Sequence, residues 1–154
     1  MKTSRIYLDT SVIGGCHDEE FKSWSLGLLK DFRMKNYIPV LSELTFDEIS
    51  KAPEPVQKTL KDIIEFDAEV LTIDENALIL AELYLERKIL TPKFRDDALH
   101  IAIASLADVD VLVSWNFRHI VHYDKIRQFN AVNIENGLKT ISIYSPREVT
   151  NYEE

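Results

Sequence analysis

Three acidic residues that lie far apart in the sequence are of the type that holds a divalent cation. Asp9 follows a short apolar run, Glu48 lies in an acidic segment, and Asp97 opens a long apolar one. If such carboxylates converge without a countercharge they repel one another, and one of them is forced to bind a proton. A divalent cation removes this repulsion, and oxygen ligands favour Mg²⁺ or Mn²⁺ over zinc. Because such an ion activates water for attack on phosphorus, these residue types point to metal-dependent hydrolysis of phosphodiester bonds.

Each acid also has a purely structural interpretation, which the spacing alone leaves open. Asp9 is a favoured residue for the start of a helix, and Glu48 is as readily an exposed surface residue. One of Asp96 and Asp97 is expected to cap the apolar helix that follows them. His100 lies three residues after Asp97 on the same helix face, and we expect it to be packed and hydrogen-bonded rather than a metal ligand.

The acids can act together only if the fold brings them to one place, and the apolar pattern predicts such a fold. Continuously apolar runs are typical of strands buried on both faces, and they occur at residues 6–8, 37–41, 109–113 and 140–144. Segments with helical periodicity lie between them, at residues 20–35, 44–50, 55–66, 77–89, 95–107 and 121–136. This alternation predicts a mostly parallel sheet of four to five strands flanked by helices, with residues 70–73 as either a fifth strand or a loop. We expect a single α/β domain over residues 1–150 and a frayed tail at residues 151–154.

The carboxyl ends of the predicted strands are the part of the sheet where the candidate residues recur. In an open α/β sheet, ligands bind beyond these ends. Asp9 directly follows the first predicted strand, and Glu48 lies one or two helical turns after the second. Ser114 and Asn116 follow the third. Acidic and amide groups are therefore expected to meet at one rim of the sheet.

The charge balance and the cysteine content limit the classes of function. The 154 residues include 18 Lys and Arg against 26 Asp and Glu, a net charge of −8, which argues against a broad phosphate-binding surface. The single cysteine, Cys16, excludes an internal disulfide framework and an all-cysteine zinc site. No segment approaches the ~18 apolar residues of a membrane span, and none has the pattern of a signal peptide. We therefore expect a cytoplasmic protein without membrane association.

Four sequence blocks, in a fixed order, carry a resemblance to a known family. They are YLDTSV at residues 7–12, SELTFDEI at 42–49, RDDALHIA at 95–102 and LVSWNFRH at 112–119. Together they resemble PIN-domain ribonucleases of the kind that forms the toxin half of VapC-type toxin–antitoxin pairs. Residues 143–149 resemble the close of one branch of that family. The resemblance spans nearly the whole chain and implies a PIN-like domain with a doubly wound parallel sheet and the acids gathered at one rim.

The resemblance also implies the roles of the rim residues in a Mg²⁺- or Mn²⁺-dependent endoribonuclease. The metal ligands would be, by position, Asp9, Glu48 and Asp97. The fourth catalytic position, which is Asp in the family, is Asn116 in this sequence. An amide oxygen can ligate Mg²⁺ but brings no charge, so one firm metal site is expected rather than two. Ser11 is expected to orient Asp9 or a bound water, and Asp96 replaces Asp97 if the alignment slips by one residue.

The resemblance implies two partners. One is an RNA substrate, which is cleaved to 5′-phosphate and 3′-hydroxyl ends, and the other is a cognate antitoxin that covers the rim. A homodimer is also considered.

Because the chain as a whole is acidic, contacts with RNA must be local. The candidates for these contacts are Arg95, which precedes Asp96, and Arg118 and His119, which follow Asn116. All three are also compatible with a solvated surface. Trp115 and Phe117 can stack on unpaired bases, and at least one of them is expected to pack beneath the rim.

Three other classes of protein compete with this interpretation. A haloacid-dehalogenase-type phosphatase needs a second Asp two residues after the first, where this sequence has Ser11. A response-regulator receiver needs a Lys after the last strand, where this sequence has Tyr144, Ser145 and Pro146. The third alternative, a catalytically weak PIN-like module that binds RNA or a protein, stays open because of Asn116.

Overall fold

The computed structural model describes residues 2–150 of the chain, which form a five-stranded parallel sheet with helices on both faces. The strands are β1 (Ser4–Leu8), β2 (Tyr37–Ser42), β3 (Glu69–Leu71), β4 (Val111–Val113) and β5 (Ile143–Tyr144), in the order β3-β2-β1-β4-β5. The predicted α/β class and parallel sheet are confirmed, and residues 69–71 form the fifth strand. The tail predicted at residues 151–154 lies outside the described residues.

Residues 2–150 form eight α-helices, seven of which connect the strands while the eighth follows β5. They are α1 (Thr10–Gly15), α2 (Lys22–Arg33), α3 (Glu43–Ile49), α4 (Glu54–Ile64), α5 (Glu75–Glu86), α6 (Arg95–Leu106), α7 (Tyr123–Glu135) and α8 (Pro146–Val149). The six helices predicted from periodicity are confirmed, with ends that differ by at most three residues. The helix predicted to reach residue 89 ends at Glu86, because Lys88 adopts a left-handed backbone conformation with a φ of 59°. None of the described helices combines the length and the apolar character needed to cross a lipid bilayer.

The central strand β1 separates two apolar clusters, which explains why its sequence is continuously apolar rather than alternating. Tyr7 packs into the cluster formed largely by α5, α6 and α7. Ile6 and Leu8 point to the opposite face and pack with α1, α2 and α4. Residues 98–105 of α6 are all buried, which accounts for the apolar composition of that helix. Helices therefore cover both faces, as a doubly wound sheet requires.

The strand order reverses at β1, and this reversal positions the candidate site. The chain adds β2 and β3 on one side of β1 and then returns to add β4 and β5 on the other. In the register of the sheet, Leu8 lies beside Val113. The next residues along these two strands, Asp9 and Ser114, therefore emerge side by side at the switch point, where ligands of such sheets bind.

Candidate active site

Asp9 is the most deeply buried of the candidate acids. It precedes α1, and its Oδ1 accepts a long 3.4 Å hydrogen bond from the backbone N–H of Val12, so the capping role considered for it is present. The same oxygen accepts a 2.6 Å hydrogen bond from the Ser11 hydroxyl, and Oδ2 accepts one of equal length from Ser114. Burial raises the pKa of Asp9, and the charge of His100 and the two hydroxyls oppose this rise only in part. The two serines hold the carboxylate in one orientation.

Glu48, on α3, is held by a neutral donor and by a histidine. Its Oε1 accepts a 3.0 Å hydrogen bond from the Thr10 hydroxyl and lies 2.5 Å from Nε2 of His100. Burial acts to raise the pKa of Glu48. The hydrogen bond and the charge of His100, together with the Thr10 hydroxyl, outweigh burial and hold that pKa below its usual value. Glu48 therefore stays ionised at neutral pH.

His100 is buried, and both of its ring nitrogens have partners, as expected for a packed histidine. Nδ1 forms a 2.7 Å hydrogen bond with the Tyr7 hydroxyl, which donates to the neutral ring and accepts from the protonated ring. A further 2.7 Å hydrogen bond joins the hydroxyls of Tyr7 and Ser42. A buried chain of polar groups from β1 and β2 thus supports the imidazole that contacts Glu48.

Asp97 lies in the first turn of α6 and contacts the loop that follows β4. Its Oδ2 accepts a 3.2 Å hydrogen bond from Nδ2 of Asn116 and a 3.0 Å hydrogen bond from Nδ1 of His119. Burial raises the pKa of Asp97, and the hydrogen bond and charge of His119 oppose the rise. The neighbouring Asp96 is exposed and has no hydrogen-bond or ion-pair partner within residues 2–150.

The prediction that Asp96 or Asp97 caps α6 is wrong. The helix begins at Arg95, ahead of both acids, and the residue before it, Phe94, forms no side-chain cap. A 3₁₀ turn over Pro92–Phe94 leads directly into the helix, so the acids lie in its first turn, where they are favoured by the helix dipole. The side chain of Asp97 is therefore free to reach the β4 loop.

Asn116 adopts an orientation that the sequence did not indicate. Its Oδ1 accepts a 2.9 Å hydrogen bond from the backbone N–H of His119, which leaves Nδ2 to face Asp97. The amide thus donates to an acid of the rim, and its oxygen is bound to the backbone.

The three candidate acids belong to one polar network. His100 contacts Glu48 directly, and its charge acts at longer range on the carboxylates of Asp9 and Asp97. Two serines connect the segment after β1 to the segment after β4: Ser11 accepts a 2.9 Å hydrogen bond from the N–H of Trp115, and Ser114 donates to Asp9. Ser114 also accepts a 2.9 Å hydrogen bond from the N–H of Asn116, which contacts Asp97. The rim is therefore one connected polar network, which also includes Ser114, Thr10 and Tyr7, residues that the sequence analysis gave no role at the site. The place of Ser114 directly after a strand at the switch point was a signal that could have identified it.

The residues considered for contact with RNA differ in their availability. Arg95 forms an ion pair with Glu82, whereas Arg118 is exposed and has no ion-pair partner within the described part of the chain. The His119 ring contacts the Phe94 ring and is mostly buried. The indole of Trp115 is only 7% exposed, and its Nε1 donates a 2.8 Å hydrogen bond to Ser25. Trp115 is therefore the aromatic residue that packs beneath the rim.

The donor set fits a hard divalent cation in kind, because it consists of carboxylate and amide oxygens. One oxygen of each of two acids, Oε2 of Glu48 and Oδ1 of Asp97, accepts no hydrogen bond from residues 2–150. In its present arrangement, however, the described chain contains no group of three or more His, Cys, Asp or Glu residues placed to hold a metal ion. Histidines occupy the places next to Glu48 and Asp97 where a cation would neutralise their charge.

The comparisons with known proteins bear on the fold. No protein-family model and no curated protein matches the sequence. Among solved structures, VapBC2 from Rickettsia felis, bound to a DNA fragment from its promoter, is similar with a TM-score of 0.57 and 15% identity over 92% of this chain and 98% of that one. FitAcB from Neisseria gonorrhoeae is similar with a TM-score of 0.56 and 14% identity over the same shares of the two chains. The PIN-like fold that the four sequence blocks predicted is confirmed by these similarities.

Proposed function

We propose that this chain is an endoribonuclease that hydrolyses RNA phosphodiester bonds at the rim formed by Asp9, Glu48 and Asp97. One observation carries the proposal: carboxylates from three distant parts of the sequence belong to one hydrogen-bonded network at the switch point of the sheet, in which Ser114 and Asn116 join Asp9 to Asp97 and Thr10, the residue after Asp9, binds Glu48. Structural acids are usually placed apart, because like charges at one site destabilise each other. A site that collects them is suited to chemistry in which positive charge or a proton is delivered to a phosphate.

Each acid of the rim would have its own part in binding the metal ion. Asp9, fixed by Ser11 and Ser114, and Glu48, kept ionised by His100, would present oriented carboxylate oxygens. Asp97, whose pKa burial raises, would complete the set. Mg²⁺ or Mn²⁺ held by these acids, with Asn116 assisting, would offset the charge that develops on the phosphate and favour the ionised form of water.

The expected biological setting is a toxin–antitoxin pair in the cytoplasm. VapBC2, one of the two similar structures, carries the name of the class that the sequence blocks resemble. The proposal gives this chain the role of the toxin and implies an antitoxin that covers the rim. Sequencing the adjacent reading frame and co-purifying its product with this chain would test the partner, and sedimentation of the chain alone would test for a homodimer.

A catalytically weak module that binds RNA is the second candidate, and one feature favours it. Asn116 donates to Asp97 where the family has a fourth acid, and the described residues hold no preformed metal cluster. In that case the rim would bind RNA without cleaving it.

Incubation of the purified protein with unstructured and structured RNAs distinguishes the two candidates. The ribonuclease is expected to cleave in Mn²⁺ or Mg²⁺, to stop in EDTA, and to leave 5′-phosphate ends. Retention of RNA without cleavage in either metal would favour the binding module. Cleavage that EDTA does not affect would contradict the metal-dependent mechanism.

A further inference from the structure

Phe117 is an exposed aromatic residue beside the candidate site. It directly follows Asn116, whose side chain contacts Asp97, and its ring is 48% exposed, against 7% for Trp115. Single exposed apolar side chains are common on protein surfaces. The position of this one is unusual because it is one residue away from a group that contacts a candidate acid.

A rigid aromatic base supports the exposed ring. Trp115 stacks on Phe21 with 4.2 Å between ring centroids, and the Phe117 ring lies 6.1 Å from Trp115 and 6.4 Å from Phe21. Gly15 leaves room for the indole of Trp115, because a Cβ added there would lie 2.7 Å from Nε1. Phe117 therefore contacts a packed aromatic pair while 48% of its surface stays exposed.

The backbone around Phe117 is also fixed. Its N–H donates a 3.0 Å hydrogen bond to the carbonyl of Trp115, and the N–H groups of Ile120 and Val121 both donate to the carbonyl of Asn116. The N–H of Trp115 donates to Ser11, which itself donates to Asp9. The ring is thus tied to the same hydroxyl that orients a candidate catalytic acid, so its distance from the rim is preset.

The charge next to Phe117 is suited to a polyanion. Arg118 is exposed and has no acidic partner among the described residues, although the chain as a whole carries a net charge of −8. Single-stranded nucleic acids are bound by aromatic rings that stack on bases combined with cations that contact the backbone. An exposed ring next to a free guanidinium provides both elements.

We infer that Phe117 is a stacking platform for an unpaired base, with Arg118 on the adjoining phosphate. This inference rests on the proposed function and assigns to this chain two residues that would contact its substrate. A base in a duplex is already stacked on its neighbours and cannot lie on the ring, so the contribution of Phe117 should be confined to unpaired bases.

Fluorescence anisotropy with labelled oligouridylate tests the inference in EDTA, where cleavage is expected to stop, and again in Ca²⁺. Phe117→Ala and Phe117→Leu are expected to weaken binding about five- to a hundredfold, the effect of removing one stacked base. Phe117→Tyr and Phe117→Trp keep an aromatic face and are expected to stay within about twofold of the wild type. Met34→Ala is the control for loss of an exposed apolar side chain, since Met34 lies near the amino end of β2, at the opposite edge of the sheet.

An abasic RNA backbone and a duplex separate stacking from contact with phosphate. The wild type and Phe117→Ala are expected to bind the abasic strand equally, whereas Arg118→Ala weakens binding of the abasic and the base-bearing strands alike. The duplex is expected to bind the wild type and Phe117→Ala with the same affinity. Circular dichroism melting of each variant verifies that the protein is folded.

Four outcomes would overturn the inference. Unchanged affinity of Phe117→Ala for oligouridylate, alongside cleavage by the wild type, removes the platform and leaves the ribonuclease proposal standing. Full affinity in Phe117→Leu indicates a general apolar contact of the kind a protein partner makes. An equal loss on duplex and single strand shows that the ring does not act through a base. A wild-type protein that neither binds nor cleaves any RNA overturns both proposals.

Discussion

The Nδ2 atom of Asn116 donates a hydrogen bond to Oδ2 of Asp97 over 3.2 Å, while the Oδ1 of the same amide accepts one from the backbone N–H of His119. The side chain of residue 116 therefore binds Asp97 and does not repel it. An acid at residue 116 would face Asp97 with a like charge. A carboxylate at residue 116 would need a cation or a proton to remain beside Asp97, whereas the amide does not.

Asn116→Asp is expected to make the rim depend on a cation. In EDTA at neutral pH, the free energy of unfolding should fall by about 1–3 kcal/mol, because a donor to Asp97 is replaced by a second carboxylate. Mn²⁺ should bind the variant more tightly than the wild type and restore its stability, as measured by titration calorimetry and thermal melting. Asn116→Ala, which removes the hydrogen bond without adding charge, is the control. An unchanged affinity for Mn²⁺ would exclude residue 116 from the metal site.

Asp97→Asn should lower the rate of RNA cleavage in Mn²⁺ by about a hundredfold or more, the range for removal of one charge-stabilising catalytic group. Asp96→Asn provides a closely matched control, since Asp96 is adjacent in sequence, is exposed and makes no contact at the rim. Its activity should remain within about twofold of the wild type, as for most surface substitutions. Equal activity of the two variants would exclude Asp97 from the mechanism.

The neutral variants of Asp97 and Glu48 should change stability in opposite directions when no metal is present. Burial raises the pKa of Asp97 above its usual value of 3.8, so its ionised form destabilises the fold at pH values above the folded pKa. Asp97→Asn should therefore be more stable than the wild type at pH 7, with a difference that disappears as the pH falls below 3.8.

Glu48 behaves in the reverse way, because His100 holds its pKa below the usual value of 4.5. Its ionised form stabilises the fold above pH 4.5, and that contribution is lost as the pH falls through the folded pKa. Glu48→Gln should therefore be less stable than the wild type at pH 7. Thermal melting in EDTA across this pH range measures both differences, and changes of the same sign would contradict the proposed environments.

Tyr7→Phe should affect both stability and activity, because it removes the hydroxyl between Ser42 and His100. The loss in stability should be about 1–3 kcal/mol, the cost of leaving a buried polar partner unpaired, and RNA cleavage should fall about 10- to 100-fold as His100 loses its support. Tyr84→Phe is the control. Its hydroxyl is also buried, and it donates to Asn133 in a separate network. It should cost similar stability and leave cleavage unchanged, and an equal loss of activity in the two variants would show that Tyr7 acts through stability alone.

The order of the elements could be predicted from the sequence because it depends on local patterns. Strands buried on both faces and helices with one apolar face each have their own periodicity, and their alternation leaves few topologies. The sequence does not distinguish a strand from a loop at residues 70–73. The strand there, Glu69–Leu71, is short, lies at the sheet edge and alternates in burial. Its pattern is therefore also that of a loop.

The sequence alone also indicated that Asp9, Glu48 and Asp97 lie at one rim, because they follow or flank elements at the edge of a parallel sheet where the carboxyl ends of its strands lie. Only the tertiary structure decided their partners. Asp9 is bound by a serine 105 residues away, Glu48 by a histidine 52 residues away and Asp97 by a histidine 22 residues away. The orientation of Asn116 and the burial of Trp115 beneath an exposed Phe117 likewise depend on packing between distant segments. Such contacts leave no periodic signal in the sequence, because they are set by the distance and angle at which separately formed elements pack.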